Sequence, residues 1–392
     1  MIRRITLALA APVLAIAVAM LFSALMLALT DYSAGDVFHV IFTEGFTRTN
    51  LVTTVNRAAP YYISGVAVAI GFKMNLFNIG VEGQYKLAAL FAAAAAAAVE
   101  LPAPLHVLFT FLVAMVVGAA WASIPALLKA YRGVSEVISS IMLNATALGV
   151  GAFFLQRWLR APASESPVLG TRTISPSGHL PTLNGLLGTI GIDIPDATRV
   201  QSYIFVAAAV GVAYYLLIWR SRYGFDLRAT GSNAEAAAAS GVNAKRMVIS
   251  AMLLSGAVAG LIGLNNIMGP AARYTDVSVV TGLGFTGIAI ALLGRNNPIG
   301  IAFAALLWAF MDAVQTPLSN ADLPKQITSI MQGITVLSVV IAYEVVRRIS
   351  ARQELSGLRR DVTTGGATPP PADPGPSTGG AGPEVAPACP PS

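Results

Sequence analysis

Residues 71–84 read Gly71-Phe72-Lys73-Met74-Asn75-Leu76-Phe77-Asn78-Ile79-Gly80-Val81-Glu82-Gly83-Gln84. The stretch interrupts two apolar runs with three glycines in its core, two asparagines, a lysine and an acid. An acid at the centre of a helix in hydrocarbon costs about 2.5–3.5 kcal/mol on insertion scales. Irregular backbone at membrane depth is tolerated only where it is buried in protein or lines a wet cavity. Two readings therefore stand for residues 71–84. One is a broken helix lining a path through the bilayer. The other is a plain turn between two spans, held by Asn75 and Asn78.

Composition on either side of this break supports a membrane setting. Hydrophobic types make up 55% of the 392 residues and charged types 11%, with mean hydropathy +0.68. A soluble chain carries about 25% charged residues, so a soluble enzyme of this length is excluded. Apolar stretches fall near 5–29, 56–72, 76–99, 105–128, 134–158, 201–219, 247–268, 279–294, 298–316 and 327–346. The expected fold is all-α, a polytopic membrane protein with about ten transmembrane helices of roughly 20 residues each. The first stretch follows Arg3 and Arg4 and outruns the ~7–15 apolar residues of a signal peptide, so it reads as an uncleaved span.

Residues 30–54 and the Pro-, Gly-, Ser- and Thr-rich 159–200 read as loops on one side, and 220–246 as a segment on the other. The tail beyond about 361 has hardly any large apolar residue and is expected to be disordered. Ten spans put both termini on one side. If that side is cytoplasmic, 17 of the 25 Lys and Arg lie inside and 8 outside. That bias fits the positive-inside rule and explains the net charge of +6 without nucleic acid.

Cysteine-built metal sites and intramolecular disulfides are excluded, because Cys389 is the single cysteine. His39, His106 and His179 show no ligand spacing. No GxxxxGK[ST] loop, HExxH pair or Ser-His-Asp arrangement occurs. No catalytic residue is expected. The seven alanines at 92–98 read as a small-residue packing face.

Three further features could carry function. In Gly133–Asn144, Ser135 is a candidate N-cap with Glu136 in the first helical turn. Ser139, Ser140 and Asn144 share a face there, either for interhelical bonding or as a polar stripe along a path. In Tyr223–Arg246, Asn233 is a candidate N-cap and Gly241 a candidate stop for a short alanine-rich helix, either an ordinary surface helix or one that docks in a partner's groove. Asp312 and Gln315 lie one turn apart and face either the path or the headgroups. Trp121, Trp158 and Trp219 suit interface anchoring.

The octapeptide Phe77-Asn78-Ile79-Gly80-Val81-Glu82-Gly83-Gln84 resembles the signature of permease subunits of bacterial nucleoside and simple-sugar ABC importers, within the branched-chain amino acid and ribose permease superfamily. Residues 133–144 resemble that family's "GVNEVISTIMLN" segment, with Ser135 in place of Asn. Residues 224–243 resemble its cytoplasmic coupling segment, with Ala238 and Ala239 where bulkier residues are common. The resemblance covers about residues 5–350.

It implies a type II-like ABC importer permease with two inverted-repeat-like halves, a transmembrane domain over 1–350 and a cytoplasmic tail over 351–392. Asn75, Asn78, Glu82, Gln84 and Asn144 are expected near a pathway for nucleosides. Simple sugars or purine bases are the alternative, and a stand-alone ion-coupled carrier a further one. Asp226, Arg228, Gly231, Glu235, Ala236 and Gly241 are expected to couple to an ABC ATP-binding protein. The implied partners are that ATPase, which would hold ATP and Mg, a second permease subunit giving a heterodimer, an extracytoplasmic substrate-binding protein and membrane lipid. This chain would bind no cofactor of its own and sit in the bacterial inner membrane.

Overall fold

A computed structural model describes residues 17–339, apart from 30–31, 163, 165–166, 190–197 and 325, together with 341, 345 and 348. Contacts divide the chain into a unit of Met1–Ala342 and a second unit of Tyr343–Ser392, of which only Val345 and Arg348 are described. The tail expected from 351, and residues 5–16 of the expected first span, lie outside the described residues.

Among the described residues the architecture is helical, with two isolated bridges (Gly170 to Thr275 and Thr182 to Gln201) in place of any strand. The first helices are α1 (Ala17–Ala28), α2 (Ala34–Glu44), α3 (Arg48–Phe72), α4 (Val81–Ala97), α5 (Ala103–Arg132) and α6 (Glu136–Phe154). A short α7 (Asn184–Thr189) precedes α8 (Tyr203–Arg220), α9 (Arg222–Ser232), α10 (Ala234–Ala239), α11 (Ala244–Gly260) and α12 (Leu264–Ile267). The series closes with α13 (Leu283–Leu293), α14 (Pro298–Ala313), α15 (Gln315–Asn320) and α16 (Gln326–Val339).

Each of the ten expected apolar stretches carries helix. Five of the described helical segments are long and apolar enough to cross a bilayer: Ala103–Arg132, Glu136–Leu159, Tyr203–Arg220, Ala244–Ile267 and Pro298–Asn320. Shorter apolar helices occur at Ala17–Ala28, Leu283–Leu293 and Gln326–Val339. The chain is thus a multi-pass membrane protein.

One expectation is corrected. Residues 30–54 are not simply a loop, because Ser33 caps α2 by accepting from the Asp36 N–H, and α3 begins at Arg48. The apolar face of α2 is short, and polar neighbours mask its period. Residues 159–200 likewise contain a 3₁₀ turn at Pro176–Gly178 and the short α7.

Helices α3 and α4 form the interior. α3 packs on α14, α13, α11 and α8, and α4 packs on α5, α6, α11 and α13. Helices enclosed by protein need not be uniformly apolar, and α3 carries Asn, Thr and Arg residues in its first half. Ala89, Ala92, Ala93 and Ala96 are fully buried, so one face of the alanine run is a close-packing surface. α5 and α11 approach more closely still. A Cβ on Gly118 would lie 2.2 Å from the Gly256 carbonyl oxygen, and one on Gly260 2.1 Å from that of Ala114. Gly256 and Gly260 have the small-xxx-small spacing that lets membrane helices touch backbone to backbone. A second, smaller cluster joins α1, α2, α15 and α16 through Leu27, Val37, Leu318, Ile327 and Met331.

Candidate functional site

The break between α3 and α4 is built by its polar residues. Gly71 ends the helix by accepting from the Met74 and Leu76 N–H groups. Asn75 takes φ 58, a left-handed conformation that Asn tolerates better than most residues, and its side chain is exposed. Asn78 is buried and pairs amide to amide with Gln84, at 3.0 Å in both directions. It also donates to Ser255 Oγ at 2.8 Å, and Ser255 donates to the Ala67 carbonyl at 2.6 Å. Asn144 donates to the Ile79 carbonyl and accepts from the Gly83 N–H, both at 2.9 Å. Ser139 donates to the Ser135 and Glu136 carbonyls and Ser140 to that of Val137, all in the first turn of α6 or its cap. Of the two readings left open for this face, Asn144 joins helices and the serines serve their own helix.

Glu82 is 6% exposed and sits at the start of α4. Its carboxylate accepts from the Gly282 and Gly284 N–H groups, each at 2.9 Å. Those groups open α13, where the helix dipole favours a negative charge. Lys86 Nζ lies 3.1 Å from the same carboxylate and donates to Thr281 Oγ1. The Tyr85 hydroxyl lies 3.1 Å from Glu82 and 2.5 Å from the Val280 carbonyl. Glu82 therefore joins the start of α4 to the start of α13.

A cavity of about 430 Å³ lies beside this junction. Its walls come from the first half of α3 (Thr53, Asn56, Arg57, Tyr61), from Gln201 before α8, from α12 (Asn265, Asn266), from Ser278–Leu283 and from Asp312. Asn75, Asn78, Glu82, Gln84 and Asn144 are not among the residues that line it. Of the five, Glu82 bonds to the segment that lines it, through the Gly282 and Gly284 N–H groups. Arg57 and Asp312 are the charged residues of the lining, and they pair at 2.7 Å, so the cavity has no formal net charge. Arg57 also donates to the Asp312 carbonyl, and Gln315 to the Asp312 carboxylate. Asp312 lines this cavity.

Pro60 shapes the wall. It has no N–H, so the Asn56 carbonyl four residues earlier lacks its helical donor. The Asn265 amide takes that place at 3.3 Å. The Asn56 side chain donates to the Arg199 carbonyl and accepts from the Gln201 N–H, which fixes Gln201 at the rim. Arg57, Gln201, Asn265 and Asn266 were not singled out by sequence reasoning. The available signals were an arginine at the edge of an apolar stretch and two adjacent asparagines inside another.

The α9–α10 segment abuts the other end of α3. Ser221, Asn233 and Asn243 cap α9, α10 and α11 with side-chain oxygens, and Gly241 turns the chain at φ +87. Ser135 occupies an N-cap position but makes no side-chain cap bond, while Glu136 pairs with Lys129 at 2.9 Å. Glu235 and Ala236 are exposed, whereas Asp226, Arg228 and Gly231 are partly buried. Arg228 donates to the Ile218 carbonyl. Gly231 lies against the break itself, where an added Cβ would fall 2.7 Å from the Lys73 carbonyl and Met74 Cα. Lys73 caps α3 and stacks over the Trp219 ring at 4.9 Å. Burial, and then the Arg228 charge, lower its pKa from the ordinary lysine value. Among the described residues, no cluster of three or more His, Cys, Asp or Glu could hold a metal.

Comparison with known proteins adds to this geometry. The sequence model of the family described as branched-chain amino acid transport system / permease component matches residues 50–340. A glucose ABC transporter permease protein of Haloferax volcanii is 34% identical over 84% of this chain and 86% of its own length. A guanosine ABC transporter permease protein of Bacillus subtilis is 32% identical over 85% of this chain and 93% of its own. A nucleoside ABC transporter permease protein of Lactococcus lactis subsp. cremoris is 27% identical over 85% of this chain and 90% of its own. No solved structure matches the chain.

Proposed function

This chain belongs to the branched-chain amino acid transport system / permease component family, and from that premise we propose that it forms the translocation path for nucleosides in an ATP-driven importer. A permease subunit is a non-catalytic membrane component, so the energy must come from elsewhere. We place ATP and Mg on partner ATPases that dock on the exposed surface of α9–α10. The transmembrane domain then spans residues 1–350 with ten helices, both termini cytoplasmic in the inner membrane, and two inverted halves around the glycine-interrupted stretches Gly71–Gly83 and Gly282–Gly294. A second permease subunit, giving a heterodimer, and an extracytoplasmic binding protein complete the importer.

The observation that carries this reading is the cavity at the Arg57 end of α3. It is lined by polar and apolar groups together, of a size to hold a small solute, and free of net charge. A neutral nucleoside fits that balance, whereas an unpaired charge buried there would need a partner. The cavity lies in the half of α3 remote from α9–α10, as a site receiving solute from outside requires. Glu82 then acts by holding the Ser278–Leu283 wall to α4, Asn78, Gln84 and Asn144 by tying the α3–α4 break to α11 and α6, and Asn75 by turning the chain. A second reading has support of its own, because the relative from Haloferax volcanii is named for glucose. Uptake of labelled guanosine or uridine by cells carrying the complete importer, competed with bases, pentoses and glucose, decides between them. Competition by nucleosides alone supports the first reading, and competition by glucose alone overturns it.

A further inference from the structure

The Arg57 guanidinium carries five N–H donors in a rigid plane. Its Nη1 donates to Asp312 Oδ2 at 2.7 Å and to the Asp312 carbonyl at 3.0 Å. Those two bonds use both Nη1 hydrogens. Gln315 donates to Asp312 Oδ1 at 2.9 Å, so the acceptor that orients the guanidinium is itself held. Nε and Nη2 make no hydrogen bond among the described residues. Neither nitrogen is among the buried polar atoms that lack a partner. Both therefore keep accessible surface, on a side chain that is 41% exposed and belongs to a residue lining the cavity.

The Nε–H and one Nη2–H lie parallel on one edge of the guanidinium. An edge of that shape pairs with two adjacent acceptors in one plane. Asp312 already balances the charge, so an anion would leave an uncompensated negative charge in the cavity and a neutral acceptor pair would not. In a 6-oxopurine nucleoside, O6 and N7 form such a pair, and arginine reads the same two atoms of guanine in duplex DNA. Adenosine puts an NH₂ donor where O6 stands, against a guanidinium that only donates. We infer that the Nε–Nη2 edge of Arg57 recognises the O6–N7 edge of 6-oxopurine nucleosides such as guanosine and inosine, and selects them over adenosine, with Asp312 as a positioning residue. The inference rests on the cavity being the translocation path for nucleosides.

The test uses the complete importer in cells and compares KM for labelled guanosine with KM for 7-deazaguanosine, which keeps O6 and lacks N7, and for adenosine. The external binding protein is the same throughout, so the informative quantity is the change in preference between wild type and variant. Arg57→Lys keeps the charge opposite Asp312 and removes the planar fork. The preference for guanosine over each of the other two should fall about tenfold in Arg57→Lys. Arg57→Gln combined with Asp312→Asn, which keeps the cavity neutral without a fork, should show the same fall. A preference within about twofold of the wild type in both variants overturns the proposal, because a bidentate pair is worth more than that. So does equal loss of all three solutes at unchanged membrane level and thermal stability, the signature of a structural role. Uptake of glucose and of no nucleoside by the wild type removes the nucleoside reading and the proposal together. A separate variant tests the path. Val280→Cys, in a Cys389→Ser background, puts a thiol on a cavity residue that is 48% exposed. A bulky impermeant maleimide that labels it and leaves uptake intact removes the path reading, and the fork with it. A maleimide block combined with unchanged preference in the Arg57 variants removes the fork alone.

Discussion

Glu82 and the Arg57–Asp312 pair answer the same physical problem in different ways. Glu82 gathers two backbone N–H groups, a lysine and a tyrosine hydroxyl around a buried carboxylate. Glu82→Ala leaves Lys86 and the first N–H groups of α13 without an acceptor, and breaking a buried pair in this way costs about 3–5 kcal/mol. Thermal unfolding of the purified chain in detergent should show a large fall for Glu82→Ala and a smaller one for Glu82→Gln; equal stability would remove Glu82 as a structural joint. The Arg57 and Asp312 side chains are 41% and 21% exposed, so their value lies in charge balance. Arg57→Met leaves the cavity at −1 and Asp312→Asn leaves it at +1, whereas the double variant is neutral. Uptake should therefore fall in each single variant and recover in part in the double, and a double variant as poor as the worse single would overturn the role of neutrality. Asn78, Glu82, Gln84 and Asn144 could be picked out in the sequence because polar residues in apolar runs are costly. Their partners could not. Glu82 meets Gly282 and Gly284, about two hundred positions away, and nothing local in either stretch encodes that meeting.

At the level of helices, hydropathy works best where a helix faces lipid and worst where protein surrounds it. α5 and α6 satisfy length and apolarity by themselves, while α3, buried from Ala58 to Gly71, tolerates Arg57 and Asn56 at the cavity. The end of α3 at Phe72 was legible from the 71–84 break, but α3 starts at Arg48 and α4 at Val81, eight residues before and five after the expected starts at 56 and 76, and α2 was lost in a stretch read as loop. Close contact between α5 and α11 depends on glycine, since a methyl on Gly260 would collide with the Ala114 carbonyl. Gly260→Ala should destabilise the detergent-solubilised chain by about 1–3 kcal/mol, the usual cost of overpacking. An unaltered unfolding temperature would show that the helices can part freely. Gly231 holds a comparable position between α9 and the break. Gly231→Val should push on Lys73 and Met74 and lower uptake while the ATPase still co-purifies. Loss of the ATPase together with uptake would instead make Gly231 part of the docking surface.

For the molecule as a whole, the proposed arrangement has an outward cavity at one end of α3 and the α9–α10 surface at the other. Arg57 and Phe72 are fifteen residues apart on one helix, and at 1.5 Å per residue that separates the two ends by about 22 Å. This is most of the roughly 30 Å hydrocarbon thickness, so a thiol near Arg57 and one on α10 should meet reagent from opposite faces. The sequence argument for sidedness was the excess of Lys and Arg in segments assigned inside, a statistical bias over loops that carries no information about depth. Chemical labelling supplies that information. In a Cys389→Ser background, Ala236→Cys on the exposed face of α10 should react with an impermeant maleimide in inside-out vesicles and not in intact cells. Val280→Cys should react in intact cells. Reversal of both patterns would invert the topology and turn the proposed importer cavity toward the cytoplasm. Labelling of both from the same face would mean that α3 does not cross the bilayer, and the path drawn along it would fall. If the expected pattern holds, solubilising the native complex and recovering an ATPase that shields Ala236→Cys from label would join the two ends of α3 in one mechanism, with ATP acting at α10 and solute at Arg57.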